Sequence, residues 1–312
     1  MADPKIVLVT RKTRLEGLVE RFNTRGQARF YIEHSGGDFG FFESEHERYY
    51  AAVSILSAQL PRLTRMQVVE RSFLPNFLFG DQDVVVTVGI DGLVVNTAKY
   101  LNGQLLVAVN PDPAHIDGVL LSFRVEQAVE AVRRALQGQA RTRPVSMAEA
   151  RLNDGQSLLA FNDLFIGVRS HVSARYTIRW GQLQEKHSSS GVIVSTGAGA
   201  TGWLSSLFNM ANGLACQFGA HQTGVEDIHA PELTWDSEQL VFVVREPFIS
   251  KASSAGIVCG LIDPQNPLVI ESQIPDGGVI FSDGVEADFL NFNAGSTATI
   301  SLATRKTNLV IN

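Results

Sequence analysis

The group in this sequence best placed to do chemistry is a carboxylate between glycines, in Gly89-Ile90-Asp91-Gly92. It follows five consecutive β-branched residues, Val84–Val88, and precedes an apolar helical pattern over Leu93–Leu101. Asp91 therefore stands where a strand ends and a helix begins. In α/β sheets ligands bind beyond the carboxyl ends of strands, and helix N-termini attract phosphate. An acid there is poorly suited to hold phosphate by itself; it is suited to accept a proton or to orient a hydroxyl. Gly89 and Gly92 permit the close backbone approach that phosphate-cradling turns need. Asp-Gly also makes ordinary turns, and it is the strand before and the helix after that favour a functional reading.

A second constellation is Ser195-Thr196-Gly197-Ala198-Gly199-Ala200-Thr201-Gly202, between the apolar run Val192–Val194 and a helix starting near Trp203. Such a loop exposes backbone N–H groups and hydroxyls at a positive helix end. It is not a Walker A loop, since no Lys follows its last glycine, and it does not match the dinucleotide fingerprint with its trailing acid. A tightly packed turn would also require small residues, but three glycines and three hydroxyl residues favour a ligand loop. A third constellation is Asn162-Asp163, after the β run Ser157–Phe161. An amide beside an acid can hydrogen-bond a base and a ribose hydroxyl, or simply cap a turn; these residues alone favour the turn.

Other groups carry less. The seven histidines show no HExxH or other metal spacing, so no metal ligands are assigned. His187 lies beside Ser188–Ser190 without a diagnostic acid, and GxSxG is absent. His115 reads as a surface residue in the loop Asp112–Asp117. Arg11, Lys12 and Arg14 follow the first strand, where they could meet phosphate, although an exposed helix start explains them equally well.

The elements that must position these groups alternate in the first half. Lys5–Thr10 reads as a strand, and Leu15, Leu18, Val19 and Phe22 as one face of a helix. Ala28–Glu33 reads as a second strand. Ser44 and Glu47 have capping-box spacing and open a helix to about Leu60. Gln67–Val69, Val84–Val88 and Leu105–Val109 are further strands, and Val125, Ala128, Val129, Val132 and Leu136 mark another helix. Strands separated by helices imply βαβ units in a doubly wound α/β domain over residues 1–146. From Met147 the signals are short strands and turns, including hairpins at Asn153-Asp154-Gly155 and Gly181, so residues 147–312 read as a β-rich, sandwich-like domain.

Composition bounds the partners. The 312 residues are 45% hydrophobic with a net charge of −6, which argues for a globular protein and against nucleic acid. The cluster Arg133, Arg134, Arg141 and Arg143 reads as a solvated helix end and linker. Cys216 and Cys259, in apolar stretches without CxxC spacing, read as buried free thiols. With no signal sequence visible and no membrane-length apolar run, the expectation is a soluble cytoplasmic protein with no membrane partner.

Taken together and in order, the constellations resemble the NAD kinase family: its Gly-Gly-Asp-Gly turn, Asn-Glu or Asn-Asp pair, and Thr-Gly-Ser-Thr-Ala-like loop match Gly89–Gly92, Asn162-Asp163 and Ser195–Gly202. The segment Val109-Asn110-Pro111-Asp112-Pro113 is similar to that family's Gly-Val-Asn segment. Together with Lys186–Gly191 it is closest to the branch that includes the mitochondrial enzymes. Ser282-Asp283-Gly284 matches a late Asp-Gly. The resemblance implies an N-terminal α/β domain, a C-terminal β-sandwich-like domain and a final strand returning to the first. It implies transfer of the γ-phosphoryl of ATP, with Mg²⁺, to the 2′-hydroxyl of the adenosine ribose of NAD, and a homodimer. By resemblance Asp91 is catalytic. Gly89, Gly92 and Asn110, with Asn162, Asp163, Thr196, Gly197, Gly199 and Thr201, bind substrate.

The chain departs from the family at Ile90, where the second glycine is replaced, at Leu93, and in Thr-Gly-Ala-Gly-Ala for Thr-Gly-Ser-Thr-Ala. A β-branched residue at Ile90 disfavours positive φ. These departures keep two alternatives open: a catalytically silent NAD(P)-binding regulatory protein, and a lipid or sugar kinase of the wider Gly-Gly-Asp-Gly group.

Overall fold

The computed structural model describes residues 4–218 and 228–312. The chain forms two compact units, one of Met1–Arg143 with Thr307–Asn312 and the other of Pro144–Lys306.

The first unit opens with β1 (Ile6–Thr10), α1 (Arg14–Phe22), α2 (Arg25–His34) and α3 (Phe39–Gln59). It continues with β2 (Met66–Glu70), β3 (Val84–Val88), α4 (Asp91–Ala98), β4 (Leu105–Asn110), the short β5 (Phe123–Arg124) and α5 (Val125–Leu136). Its strands pair in parallel in the order β4-β3-β1-β2. Central β3 is buried along its whole length. That is why it reads as an unbroken run of Val and Thr, since a parallel strand covered on both faces needs apolar side chains on each. The core beneath combines Leu8, Val86 and Val107 of the strands with Leu56 of α3 and Val132 of α5.

Two helices begin or exist where the sequence reading placed something else. Ala28–Glu33 lies within α2, not in a strand. Thr24 caps it by accepting the Gln27 N–H; Phe30 and Tyr31 are exposed, and Ile32 packs half-buried beside Ala28 against Leu15 and Phe39. Helix α3 starts five residues before Ser44, because the Asp38 side chain takes the Gly40 N–H at 2.8 Å.

Among its described residues the second unit is β apart from one α-helix and the helical turn that leads into it. It contains β6 (Arg141–Leu152), which starts just before the unit boundary, then β7 (Ser157–Ala160), β8 (Asp163–Val168), β9 (Ala174–Trp180), β10 (Leu183–Ser189) and β11 (Val192–Ser195). After α6 (Ser205–Phe218) come β12 (Leu240–Val244), β13 (Cys259–Ile262), β14 (Leu268–Ser272), β15 (Gly278–Ser282), β16 (Val285–Asn291) and β17 (Thr297–Ile311). One antiparallel sheet has the order β13-β12-β11-β8-β15-β16. Opposite it, β10, β9, β14 and the first residues of β17 pair in antiparallel fashion. The inner faces interdigitate through Ile166, Val194, Phe242 and Ile280 on one side and Tyr176, Ile178, Ile270 and Ile300 on the other. The hairpin at Gly181 pairs Trp180 with Leu183, and Gly155 has a φ of 91° in the hairpin between β6 and β7. The end of β17 belongs to the first unit, where Asn308 and Leu309 pair in parallel with Leu105 and Leu106 of β4.

Both cysteines are exposed, not buried. Cys216 lies on α6, which buries none of its described residues, and Cys259 opens the edge strand β13. No helix among the described residues is long and apolar enough to cross a membrane.

Candidate functional site

In the first unit β2 lies on one side of β1 and β3 on the other, so the sheet reverses direction at the carboxyl ends of β1 and β3. Open α/β sheets bind ligands at such a reversal. Arg11 follows β1 and Gly89 follows β3. A Cβ at Gly89 would stand 3.3 Å from both Arg11 Nε and Leu93 Cδ2, so glycine is what lets the turn close against them. Arg11 is fixed by Glu45 at 2.9 Å and lies over the Tyr49 ring, while its backbone N–H donates to the Tyr49 hydroxyl at 2.8 Å. It is thus a largely buried ion-pair residue and not an exposed helix start. Arg14 Nε approaches the same Glu45 at 3.5 Å.

Asp91 is the first residue of α4, where a negative charge suits the helix dipole. Its Oδ2 accepts the Val119 N–H and its Oδ1 the Leu120 N–H, each at 3.0 Å. Ile90 precedes it with φ −108° and ψ 166°, an extended conformation that a β-branched residue adopts without strain. Replacing a glycine there therefore needs no distortion. The Ile90 side chain is 39% exposed and lines a cavity of about 40 Å³ with Arg11, Arg14, Arg48, Asp112 and His115. Leu93 is buried.

Asn110 is also buried, and both ends of its amide hold its own loop: Nδ2 donates to the Ile116 carbonyl and Oδ1 accepts the Asp112 N–H, each at 2.9 Å. Asp112 is paired with Arg48 Nε at 2.5 Å and His115 Nδ1 at 3.0 Å. Burial alone would raise its carboxyl, but the His115 and Arg48 hydrogen bonds and charges outweigh that and hold it below the usual carboxylate range. His115 is exposed, as expected of a surface residue, and also lines this edge.

In the second unit three chain segments meet at one end of the neighbouring strands β11, β8 and β15. Ser195 stands opposite Asp163, and Ser282 opposite Leu164. The Thr196 hydroxyl donates to the Phe161 carbonyl at 2.6 Å and accepts the Gly199 N–H at 3.2 Å, while the Thr196 N–H donates to the Asn162 carbonyl at 2.9 Å. A Cβ at Gly197 would fall 2.0 Å from the Thr234 carbonyl oxygen, and one at Gly199 2.2 Å from that of Asn162. Those glycines are required by packing. Thr201 is exposed, and its carbonyl accepts the Ser205 hydroxyl at 2.9 Å. The chain turns from Ala200 to Leu204 in a π-helical turn, with Gly202 at φ −93° and ψ −116°, before α6.

The third segment is Asp283-Gly284, the two-residue turn between β15 and β16, with φ of 55° and 69°. Asp-Gly is suited to a hairpin turn in which both residues have positive φ. The Asp283 carboxylate accepts the N–H groups of Phe161, Asn162 and Asp163 at 3.1, 2.7 and 3.2 Å. Burial, with the charge of Asp283 beside it, pushes the Asp163 carboxyl up to about 7. In the sequence Asp283-Gly284 is only a late Asp-Gly; its partners lie far back along the chain, and only the fold brings them together.

The structure thus gathers Asp91, Gly89, Gly92 and Asn110 at the sheet edge of the first unit. Within the second it gathers Asn162, Asp163, Thr196, Gly197 and Gly199 around Asp283, with Thr201 at the start of the following helix. His187 is elsewhere, buried and stacked on Tyr176 with ring centroids 5.5 Å apart.

No protein-family model matches the sequence, and no curated protein matches it. Among solved structures, an NAD kinase from Archaeoglobus fulgidus in complex with ATP is similar, with a TM-score of 0.55, 14% identity and coverage of 98% of this chain and 94% of that one. Yeast NADH kinase complexed with NADH is similar with a TM-score of 0.56 and 12% identity, over 100% of this chain and 84% of that one. At these identities the likeness is one of fold: the two-domain α/β architecture of these kinases.

Proposed function

We propose that this chain is an NAD kinase, transferring the γ-phosphoryl group of ATP to the 2′-hydroxyl of the adenosine ribose of NAD to give NADP. The observation that carries the reading is the convergence of Asn162-Asp163, the Thr196–Gly199 turn and Asp283 at one strand end of such a fold. An amide and a carboxyl, fixed through their backbone with their side chains left to a ligand, suit a base and a ribose hydroxyl. Thr196 contributes by building the turn, because its hydroxyl is taken up by Phe161 and Gly199. Recognition from that loop then falls to backbone N–H groups and Thr201.

Asp91 acts on the attacking hydroxyl. A carboxylate offers about four acceptor positions, and two are occupied by Val119 and Leu120, so the others can take a ribose hydroxyl. An ordinary carboxylate is a weak base for such a group, so orientation contributes more than early proton removal. Arg14, with 61% of its side chain exposed, is a cation at that edge available to phosphate oxygens. Mg²⁺ enters with the phosphates of the ATP substrate. The protein acts as a homodimer, which the mass in solution would check. The decisive assay mixes protein, MgATP and NAD and follows NADP, with Asp91→Asn as control. A wild type that binds NAD yet makes no NADP over a range of donors overturns the reading.

The hold of two backbone N–H groups on Asp91 favours a second reading, an NAD(P)-binding protein without turnover in which Asp91 anchors the 118–121 turn. Calorimetric binding of NAD or NADP with no turnover would support it.

A further inference from the structure

The Asn162-Asp163 dipeptide is held on both sides of its backbone. On the N–H side the Asp283 carboxylate takes Phe161, Asn162 and Asp163. On the carbonyl side Thr196 donates its N–H to Asn162, and Asp283 donates its own N–H to Asp163 at 3.0 Å. With the main chain so occupied, neither the Asn162 amide nor the Asp163 carboxyl makes a side-chain hydrogen bond to another described residue. Both are half-buried, not sealed. An unsatisfied polar pair at the mouth of three strand ends is a place for ligand donors and acceptors.

Asp283 brings a negative charge to this place. Around Asp163, β7, β11, β15 and the Thr196–Gly202 loop carry no ionisable side chain, while the segment packed on that loop at Gly197, around Thr234, carries Glu232 and Asp236. Burial, with the charge of Asp283 added to it, holds the Asp163 carboxyl at about 7. Ligand groups that donate to Asp163, such as a ribose hydroxyl or an exocyclic amine, favour the ionised form. Their capture therefore releases a proton below about pH 7 and none well above it.

We propose that Asp283 is a positioning residue for nucleoside capture: through three backbone donors it sets where the Asn162 and Asp163 side chains stand, and through its own charge it makes that capture depend on pH. The identity of the nucleoside as the adenosine of NAD rests on the function proposed above; the hold on the dipeptide does not.

The test compares wild type with Asp283→Asn, which keeps an acceptor oxygen but removes the charge. KM and kcat for NAD are measured across roughly pH 5.5–8.5, spanning the Asp163 transition, and the Asp163 carboxyl is titrated directly by carbon NMR. At about pH 8.5, where Asp163 is ionised in both proteins, loss of charge-assisted hydrogen bonds should raise KM for NAD about tenfold with kcat changed by less than about threefold. The pH midpoint of the KM profile and the NMR midpoint should both move to lower pH, as expected when a like charge is removed. A KM that stays put, or an Asp163 midpoint that does not move, overturns the proposal. If wild type neither binds NAD nor makes NADP, the proposed function fails, while the carboxyl titration still decides the role of Asp283. Should Asp283→Asn not fold, Asp163→Asn takes its place: a flattened pH profile of KM supports the proposal, and an unchanged one overturns it.

Discussion

Asp91 Oδ1 lies 3.0 Å from the backbone nitrogen of Leu120, and the other oxygen holds Val119 at the same distance. The residue placed at the chemistry is therefore also the anchor of the turn at Gly118, and the two roles respond differently to substitution. Asp91→Asn keeps one acceptor oxygen and should abolish NADP formation while lowering stability by about 1–2 kcal/mol. Asp91→Ala removes both acceptors and should cost more, about 2–4 kcal/mol. Turnover assays and chemical denaturation of the two variants check this. An Asn variant within a few-fold of wild-type activity would leave Asp91 as an anchor only.

Asp163 gives stability a pH dependence of unusual sign for a carboxylate. Its folded value of about 7 lies above the ordinary 3.8, so between those values the folded chain binds a proton that the unfolded chain has released. Stability from this group is full below the ordinary value and is lost as pH rises through about 7. The denaturation midpoint of wild type should fall over that window, and that of Asp163→Asn should fall less. Equal slopes for the two proteins would contradict the assignment.

Glycines in and after the Ser195–Gly202 loop should separate sharply. Gly199→Ala puts a Cβ 2.2 Å from the Asn162 carbonyl oxygen, a backbone group that cannot give way. It should destabilise by about 3 kcal/mol or more. Gly213, within α6, has nothing within 4 Å of an added Cβ, and Gly213→Ala should stabilise by about 0.5–1 kcal/mol. Urea unfolding of the pair tests this, and comparable losses in both would refute it.

Ile90 is relaxed in its backbone yet lines the small cavity beside Arg11 and Arg14. Ile90→Gly should widen that space and lower KM for MgATP several-fold, on the order of 1 kcal/mol of binding, with KM for NAD unchanged. An unchanged KM for MgATP would show that this side chain does not limit access.

Much of the framework was legible because burial writes itself into composition. Val84–Val88 could only be an interior parallel strand, and the Gly181 hairpin announced its own turn. Ala28–Glu33 resembles a strand because Phe30, Tyr31 and Ile32 have strand-forming side chains, yet Phe30 and Tyr31 are exposed on a helix whose cap, Thr24, is its clearest local signal. At the site, the sequence showed which residues have useful side chains but not which are already engaged. Thr196 and Asn110 look like ligand groups, yet their polar atoms hold their own loops. Asp283 looks like a turn residue, yet it holds three N–H groups of Phe161–Asp163, a relation between distant segments that no local spacing encodes.

The last strand has a consequence for synthesis. Leu309 pairs with Leu106 inside a unit whose other strands all precede residue 144. On a ribosome the first unit emerges early but lacks one strand of its sheet until the end of β17 is made and clears the exit tunnel. Until then the lower edge of β4 carries unpaired backbone donors and acceptors, the kind of edge that other chains can join. The nascent chain should therefore need shielding longest at Leu105 and Leu106, far from where synthesis is taking place.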